Sequence, residues 1–94
     1  MSFNFLQIMK PTLYIKQGCP WCNDALAYFR AKGLEMEIKD VLGSDQGMAE
    51  LKAVSGQTKT PTLLHGNFMV ADFDVTEFED ALSMNPAAAE KLGL

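Results

Sequence analysis

The feature that most constrains this chain is its one pair of cysteines, Cys19 and Cys22, in the run Lys16-Gln17-Gly18-Cys19-Pro20-Trp21-Cys22-Asn23. The run lies where two local patterns meet. Residues 11–16 (Pro-Thr-Leu-Tyr-Ile-Lys) are β-branched and aromatic, the composition of a short strand. Residues 21–32 turn helical: Ala25, Tyr28, Phe29 and Lys32 fall on one face, and Gly33 stops the pattern. Pro20 suits a first helical position, where its missing N–H costs nothing.

A sulfur at a helix N-terminus sits among unpaired N–H groups and the positive end of the macrodipole, which favour thiolate over thiol. Thiols so placed have pKa values lowered from about 8.5 to between about 3.5 and 7.5. Cys19, just before the helix, is therefore expected to be the exposed nucleophile. Cys22, one turn in and on the same face, is expected to be the more buried, resolving thiol. Their Cα separation should fit the roughly 4.4–6.8 Å that a disulfide needs, so the pair can close and open with little backbone movement. Lys16 adds a nearby positive charge that acts in the same direction.

A metal or a purely structural role competes poorly with this chemistry. Tetrahedral zinc needs four ligands, and the only other soft candidate is His65, so no metal is expected. A structural disulfide closing so small a loop gains little, because its stabilisation grows with the loop it closes.

The 94 residues suit one domain spanning 1–94, and 48% hydrophobic residues suffice for a core without staples. A net charge of −4 argues against nucleic acid as a partner. No run reaches the roughly 18 apolar residues of a membrane helix. The first ten residues lack the charged and apolar regions of a secretion signal. A cytoplasmic location is thus expected, and there a lone Cys-x-x-Cys is more often catalytic than structural.

Along the chain, residues 1–10 read as an extension that packs Phe3, Phe5 or Ile8 on the domain edge. Residues 34–41 alternate apolar with charged, as a half-buried strand does. A strand–helix–strand unit of this length implies parallel pairing. Ser44 offers a helix start, Met48, Leu51 and Val54 a stripe, and Gly56 a stop. Thr60-Pro61-Thr62-Leu63-Leu64 begins a core strand. His65-Gly66-Asn67 is a hairpin turn, with His65 at the surface, and Phe68-Met69-Val70 returns antiparallel. Met36, Met48, Met69 and Met84 read as gap-fillers. Asp74 and Glu77 fit a capping box for a helix through Phe78, Ala81 and Leu82. Asn85-Pro86 caps a last helix, within 85–92. The expected order is β-α-β-α-β-β-α-α: an α/β fold with a four-stranded mixed sheet flanked by helices, its core about 11–82.

These residues resemble the glutaredoxin family of the thioredoxin-like superfamily, over roughly residues 11–82. The carrying motifs are Tyr14-x-Lys16-x-x-Cys19-Pro20-Trp21-Cys22, Ser55-Gly56-Gln57 leading to Thr60-Pro61, the hairpin, and the helix start at Asp74. The resemblance implies a dithiol site with Cys19 as nucleophile and Cys22 as resolving thiol. It implies a cis Pro61 facing them, with the Thr60 backbone pairing to the cysteine part of glutathione. Lys16 and Gln57 would meet the glycine carboxylate of glutathione. The turn Ala71-Asp72-Phe73-Asp74 would offer backbone N–H groups to the γ-glutamyl end, with Asp74 near its ammonium. Pro20 and Trp21 would pack beside the sulfurs, Trp21 standing where the family usually has Tyr. Ala71-Asp72 replaces the usual Gly-Gly, and Asp72 adds negative charge where the γ-glutamyl carboxylate would sit.

The function so implied is a glutathione-dependent thiol–disulfide oxidoreductase, a monomer acting on protein or glutathione mixed disulfides. A second reading is a glutaredoxin-like electron donor whose partner is thioredoxin reductase. A third is an iron–sulfur carrier sharing a cluster through Cys19, which Pro20 disfavours.

Overall fold

The computed structural model describes residues 10–94, so all but Lys10 of the expected extension lies outside the described residues. The elements are β1 (Thr12–Ile15), α1 (Pro20–Ala31), β2 (Glu37–Asp40), α2 (Asp45–Ser55), β3 (Thr62–His65), β4 (Phe68–Ala71), α3 (Val75–Ser83) and α4 (Pro86–Leu92). The strands form one sheet in the order β2-β1-β3-β4. β1 pairs parallel with β2 and antiparallel with β3, and β3 pairs antiparallel with β4. The element order β-α-β-α-β-β-α-α and the mixed sheet are those that the alternating patterns imply.

Strand alternation explains why the helices divide between the two faces, since successive side chains point to opposite sides of a sheet. Leu13 of β1 and Leu63 of β3 enter one layer with Ala25 and Phe29 of α1, Phe78 and Leu82 of α3, and Leu92 of α4. Their sequence neighbours Tyr14 and Leu64 face the other layer, with Val41, just after β2, and Leu51 of α2. Aromatic rings dominate the first layer. The Phe78 ring centre lies 5.0 Å from that of Phe29 and 5.3 Å from that of Phe73. The second layer carries a polar tie at its rim, where the Tyr14 hydroxyl donates to Glu50 Oε1 at 3.4 Å. Glu50 also pairs with Lys39, so β1, β2 and α2 meet at one carboxylate.

Helix ends follow their local residues. The Ser44 Oγ accepts from the Gly47 N–H at 2.9 Å to start α2. Asp74 and Glu77 make the full capping box of α3: Asp74 Oδ1 accepts from Glu77 N–H at 2.8 Å, and Glu77 Oε1 from Asp74 N–H at 2.9 Å. Gly66 takes the left-handed φ of 62° that lets a two-residue loop join β3 to β4. Asn85 departs from the expected cap: its Nδ2 turns back to donate to the Ala81 carbonyl at 2.8 Å, leaving Pro86 to open α4.

Several burial expectations fail. β2 is shorter than the alternating run and sits at the sheet edge, where Ile38 stays 46% exposed. Met84 is 80% exposed and fills no gap. His65 closes β3 opposite Phe68 and is buried, because the turn consists of Gly66 and Asn67 alone. No described helix is long and apolar enough to cross a membrane.

Candidate active site

β1 delivers the chain to the site. Beyond Ile15, Gly18 adopts φ 78°, a left-handed turn that Gly takes at no steric cost, and redirects the backbone into α1. Cys19 becomes the N-cap of α1 with extended backbone (φ −94°, ψ 111°), and Pro20 occupies the first helical position. The cap is a sulfur: Cys19 Sγ accepts the Cys22 backbone N–H at 3.1 Å. That N–H is one of the donors a helix start leaves unsatisfied, so the helix end itself supplies a hydrogen bond to the sulfur.

The two cysteines form a disulfide with Cα atoms 5.1 Å apart. Cys19 is half-buried at the surface while Cys22 is fully buried. Facing them is the segment entering β3. The Thr60–Pro61 peptide bond is cis. The Thr60 hydroxyl oxygen lies 3.3 Å from Cys22 Sγ and 3.9 Å from Cys19 Sγ, and the Thr60 carbonyl oxygen lies 3.8 Å from Cys19 Sγ. Behind Pro61, its carbonyl accepts the Phe73 N–H at 3.3 Å.

The fold therefore gathers Cys19, Cys22, Thr60 and Pro61, with the Phe73 backbone beside them. The Phe73 side chain itself belongs to the core, 1% exposed. Asp74 follows Phe73 and spends Oδ1 on the α3 cap. Lys16 leaves β1 half-exposed and, among the described residues, makes no ion pair. Pro20 and Trp21 stand at the helix start, Trp21 54% exposed. The Gln57 amide is turned onto its own loop: Oε1 accepts the Lys59 N–H at 2.7 Å, and Nε2 donates to Ser55 Oγ at 2.8 Å. Nε2 also reaches Thr62 Oγ1 at 3.2 Å.

Thr62 is the site-supporting residue that pattern reading missed, since it reads as core strand. The available signal was a hydroxyl at a fully buried strand position, which must find partners. Asp72 adopts φ 53°, a positive φ rare outside glycine, and its N–H points to Thr62 Oγ1 at 3.4 Å. Among the described residues, no group of three or more His, Cys, Asp or Glu could hold a metal ion. A groove of about 550 Å³ runs along β4 and α4 past Phe68, Asn85 and Lys91 and shares no lining residue with the disulfide.

A sulfur-capped helix start facing a cis Thr-Pro segment, on a mixed four-stranded sheet, defines a redox-type Cys-x-x-Cys protein of thioredoxin-like fold. Within that class the chain belongs to the glutaredoxin family, whose model, described as Glutaredoxin, matches residues 12–70. Over 66 residues the chain is 33% identical to the hybrid peroxiredoxin hyPrx5 of Haemophilus influenzae. That match takes in 70% of this chain but only 27% of the relative, so the chain spans about a quarter of the curated protein it matches. The solution structure of glutaredoxin from Brucella melitensis is similar at a TM-score of 0.64 and 26% identity, covering 92% of each chain. The glutaredoxin grx-1 of Archaeoglobus fulgidus aligns at a TM-score of 0.67 and 15% identity, over 87% of this chain and 96% of that one. A buckwheat glutaredoxin–glutathione complex aligns at 0.66 and 18%, over 92% and 84%. These last two likenesses concern the fold.

Proposed function

We propose that this chain reduces disulfides of protein substrates through Cys19 and Cys22 and is itself re-reduced by glutathione. The observation that carries the reading is the Cys22 N–H held 3.1 Å from Cys19 Sγ at the α1 start, which favours the thiolate on the more exposed sulfur. The Cys19 thiolate attacks one sulfur of the substrate disulfide and expels the other as a thiolate. Cys22, deprotonated, then attacks Cys19 Sγ, releasing the second substrate sulfur and leaving the Cys19–Cys22 disulfide. Two glutathione molecules return the pair to dithiol: the first forms a mixed disulfide with Cys19, and the second leaves with it as glutathione disulfide. Thr60, Pro61 and the Phe73 backbone form the facing wall against which the glutathione peptide would lie. Lys16, Gln57 and Asp74 are its expected charged and polar neighbours. We place the reaction in a reducing, cytoplasmic compartment and in a monomer.

The likeness to a hybrid peroxiredoxin supports a peroxidase disulfide as one substrate. A glutathione-coupled hydroxyethyl-disulfide assay tests the reading: turnover is expected, and none with intact Cys19 would remove glutathione from the mechanism.

One feature favours a second reductant. The N–H groups of Asp72, Phe73 and Asp74 are all engaged within the chain, and three carboxylates (Asp72, Asp74, Glu77) crowd the same turn. A γ-glutamyl carboxylate would meet occupied donors there. A chain recycled by thioredoxin reductase would turn over with that enzyme in place of glutathione, and the exchange of reductants in one assay separates the two.

A further inference from the structure

Thr62 is fully buried, yet its hydroxyl serves none of the strand pairing around it. It donates to the Lys59 carbonyl at 2.9 Å and accepts from Gln57 Nε2 at 3.2 Å and from the Asp72 N–H at 3.4 Å. Gln57 closes the same circle, accepting the Lys59 N–H at 2.7 Å, donating to the Lys59 carbonyl at 3.3 Å and anchoring to Ser55 Oγ at 2.8 Å. Both backbone polar groups of Lys59 are thus gripped. The next residue is Thr60, whose hydroxyl reaches both sulfurs.

We propose that Thr62 is a positioning residue for thiol exchange: with the Gln57 amide it clamps Lys59 and so holds the Thr60 hydroxyl against Cys19 and Cys22. The proposal rests on the roles given above to the two cysteines. A hydroxyl within reach of both sulfurs can donate to whichever carries charge. In the resolving step the negative charge starts on Cys22 Sγ and passes to Cys19 Sγ as the bond between them forms. It leaves on the substrate sulfur as the mixed disulfide breaks, and solvent then protonates that thiolate. A buried threonine often does no more than satisfy its own hydroxyl. Here its partners lie on the segment that presents Thr60 and on the turn behind it, so slack at Thr62 is transmitted to the sulfurs.

Stopped-flow reaction of the fully reduced protein with 5,5′-dithiobis(2-nitrobenzoate), without glutathione, reads the two steps separately. Attack by Cys19 releases one thiolate, and resolution by Cys22 releases the second. Thr62→Val is expected to slow the second phase about tenfold, the scale of one well-placed hydrogen bond to a charged group, with an unchanged circular dichroism spectrum. Thr62→Ser, which keeps the hydroxyl, should stay within about twofold of the parent. On a Thr60→Val background Thr62→Val should add no further slowing, because both act through one hydroxyl. A Thr62→Val rate equal to the parent, or equal slowing on both backgrounds, overturns the proposal and leaves Thr62 a packing residue. Should Thr62→Val fail to fold, Gln57→Glu decides: it keeps the acceptor for Lys59 N–H and loses the three donated contacts. A slowed second phase there supports the clamp, and an unchanged one overturns it. A parent protein whose second release persists in Cys22→Ser would instead strike at the cysteine assignment.

Discussion

The backbone N–H of Cys22 donates to the sulfur of Cys19 from 3.1 Å, so the residue expected to form the mixed disulfide caps the helix through the backbone of the one expected to resolve it. Cys19→Ser is therefore expected to abolish turnover with hydroxyethyl disulfide and glutathione. Cys22→Ser keeps its backbone N–H, and with it the cap, and should retain a one-cysteine route in which glutathione resolves the intermediate. Equal loss in both variants would rule that route out.

Asp72 should respond to substitution in two separable ways. Its φ of 53° costs a non-glycine residue on the order of 1 kcal/mol. Asp72→Gly should raise the denaturation midpoint and also lower KM for glutathione, by removing a carboxylate from the rim. Asp72→Asn should lower KM while leaving stability nearly unchanged. If neither variant alters KM, charge at this turn does not govern glutathione.

Phe78 has no exposed surface and lies edge-on to Phe29 at 5.0 Å. Truncation to alanine removes ring contacts to α1 and to Phe73 and leaves a cavity, costing roughly 3–5 kcal/mol. Urea denaturation measures this. A loss below about 1 kcal/mol would show that the layer can collapse around the gap.

Alkaline pH should destabilise the second layer. Burial, then the Glu50 charge, raises the Tyr14 pKa, and the hydrogen bond to Glu50 raises that of Lys39. Both groups hold their protons more firmly in the folded chain than in the unfolded one. Their contribution is complete below the unfolded values, about 10 to 10.5, and is lost as pH rises through the folded ones. Denaturation midpoints should thus be level from about pH 7 to 9 and fall above about 10. Glu50→Gln, which weakens both shifts, should flatten that fall.

Features written in neighbouring residues were legible before the structure. The capping box at Asp74 and Glu77 and the Ser44 start each depend on residues three apart, and the stop at Gly56 depends on one residue without a Cβ. The element order and the mixed sheet followed from the alternation of patterns and a hairpin placed at His65-Gly66-Asn67, which the structure shortens to Gly66 and Asn67. What escaped depends on distant partners. Alternation in residues 34–41 shows that a strand has two unlike faces. It does not show that β2 is an edge with only β1 beside it, which is why Ile38 stays exposed. The two cysteines were legible from spacing alone. The inward turn of the Gln57 amide was not, because its bond to Thr62 exists only once the loop after α2 has folded back onto β3.

Trp21 is the chain's single tryptophan, and it stands half in solvent on the first turn of α1, between Cys19 and Cys22 in sequence. Sulfur–sulfur bonds quench neighbouring indoles more strongly than thiols do. Emission from that one indole, compared before and after reduction of the Cys19–Cys22 bond, is expected to report the state of the pair without any label.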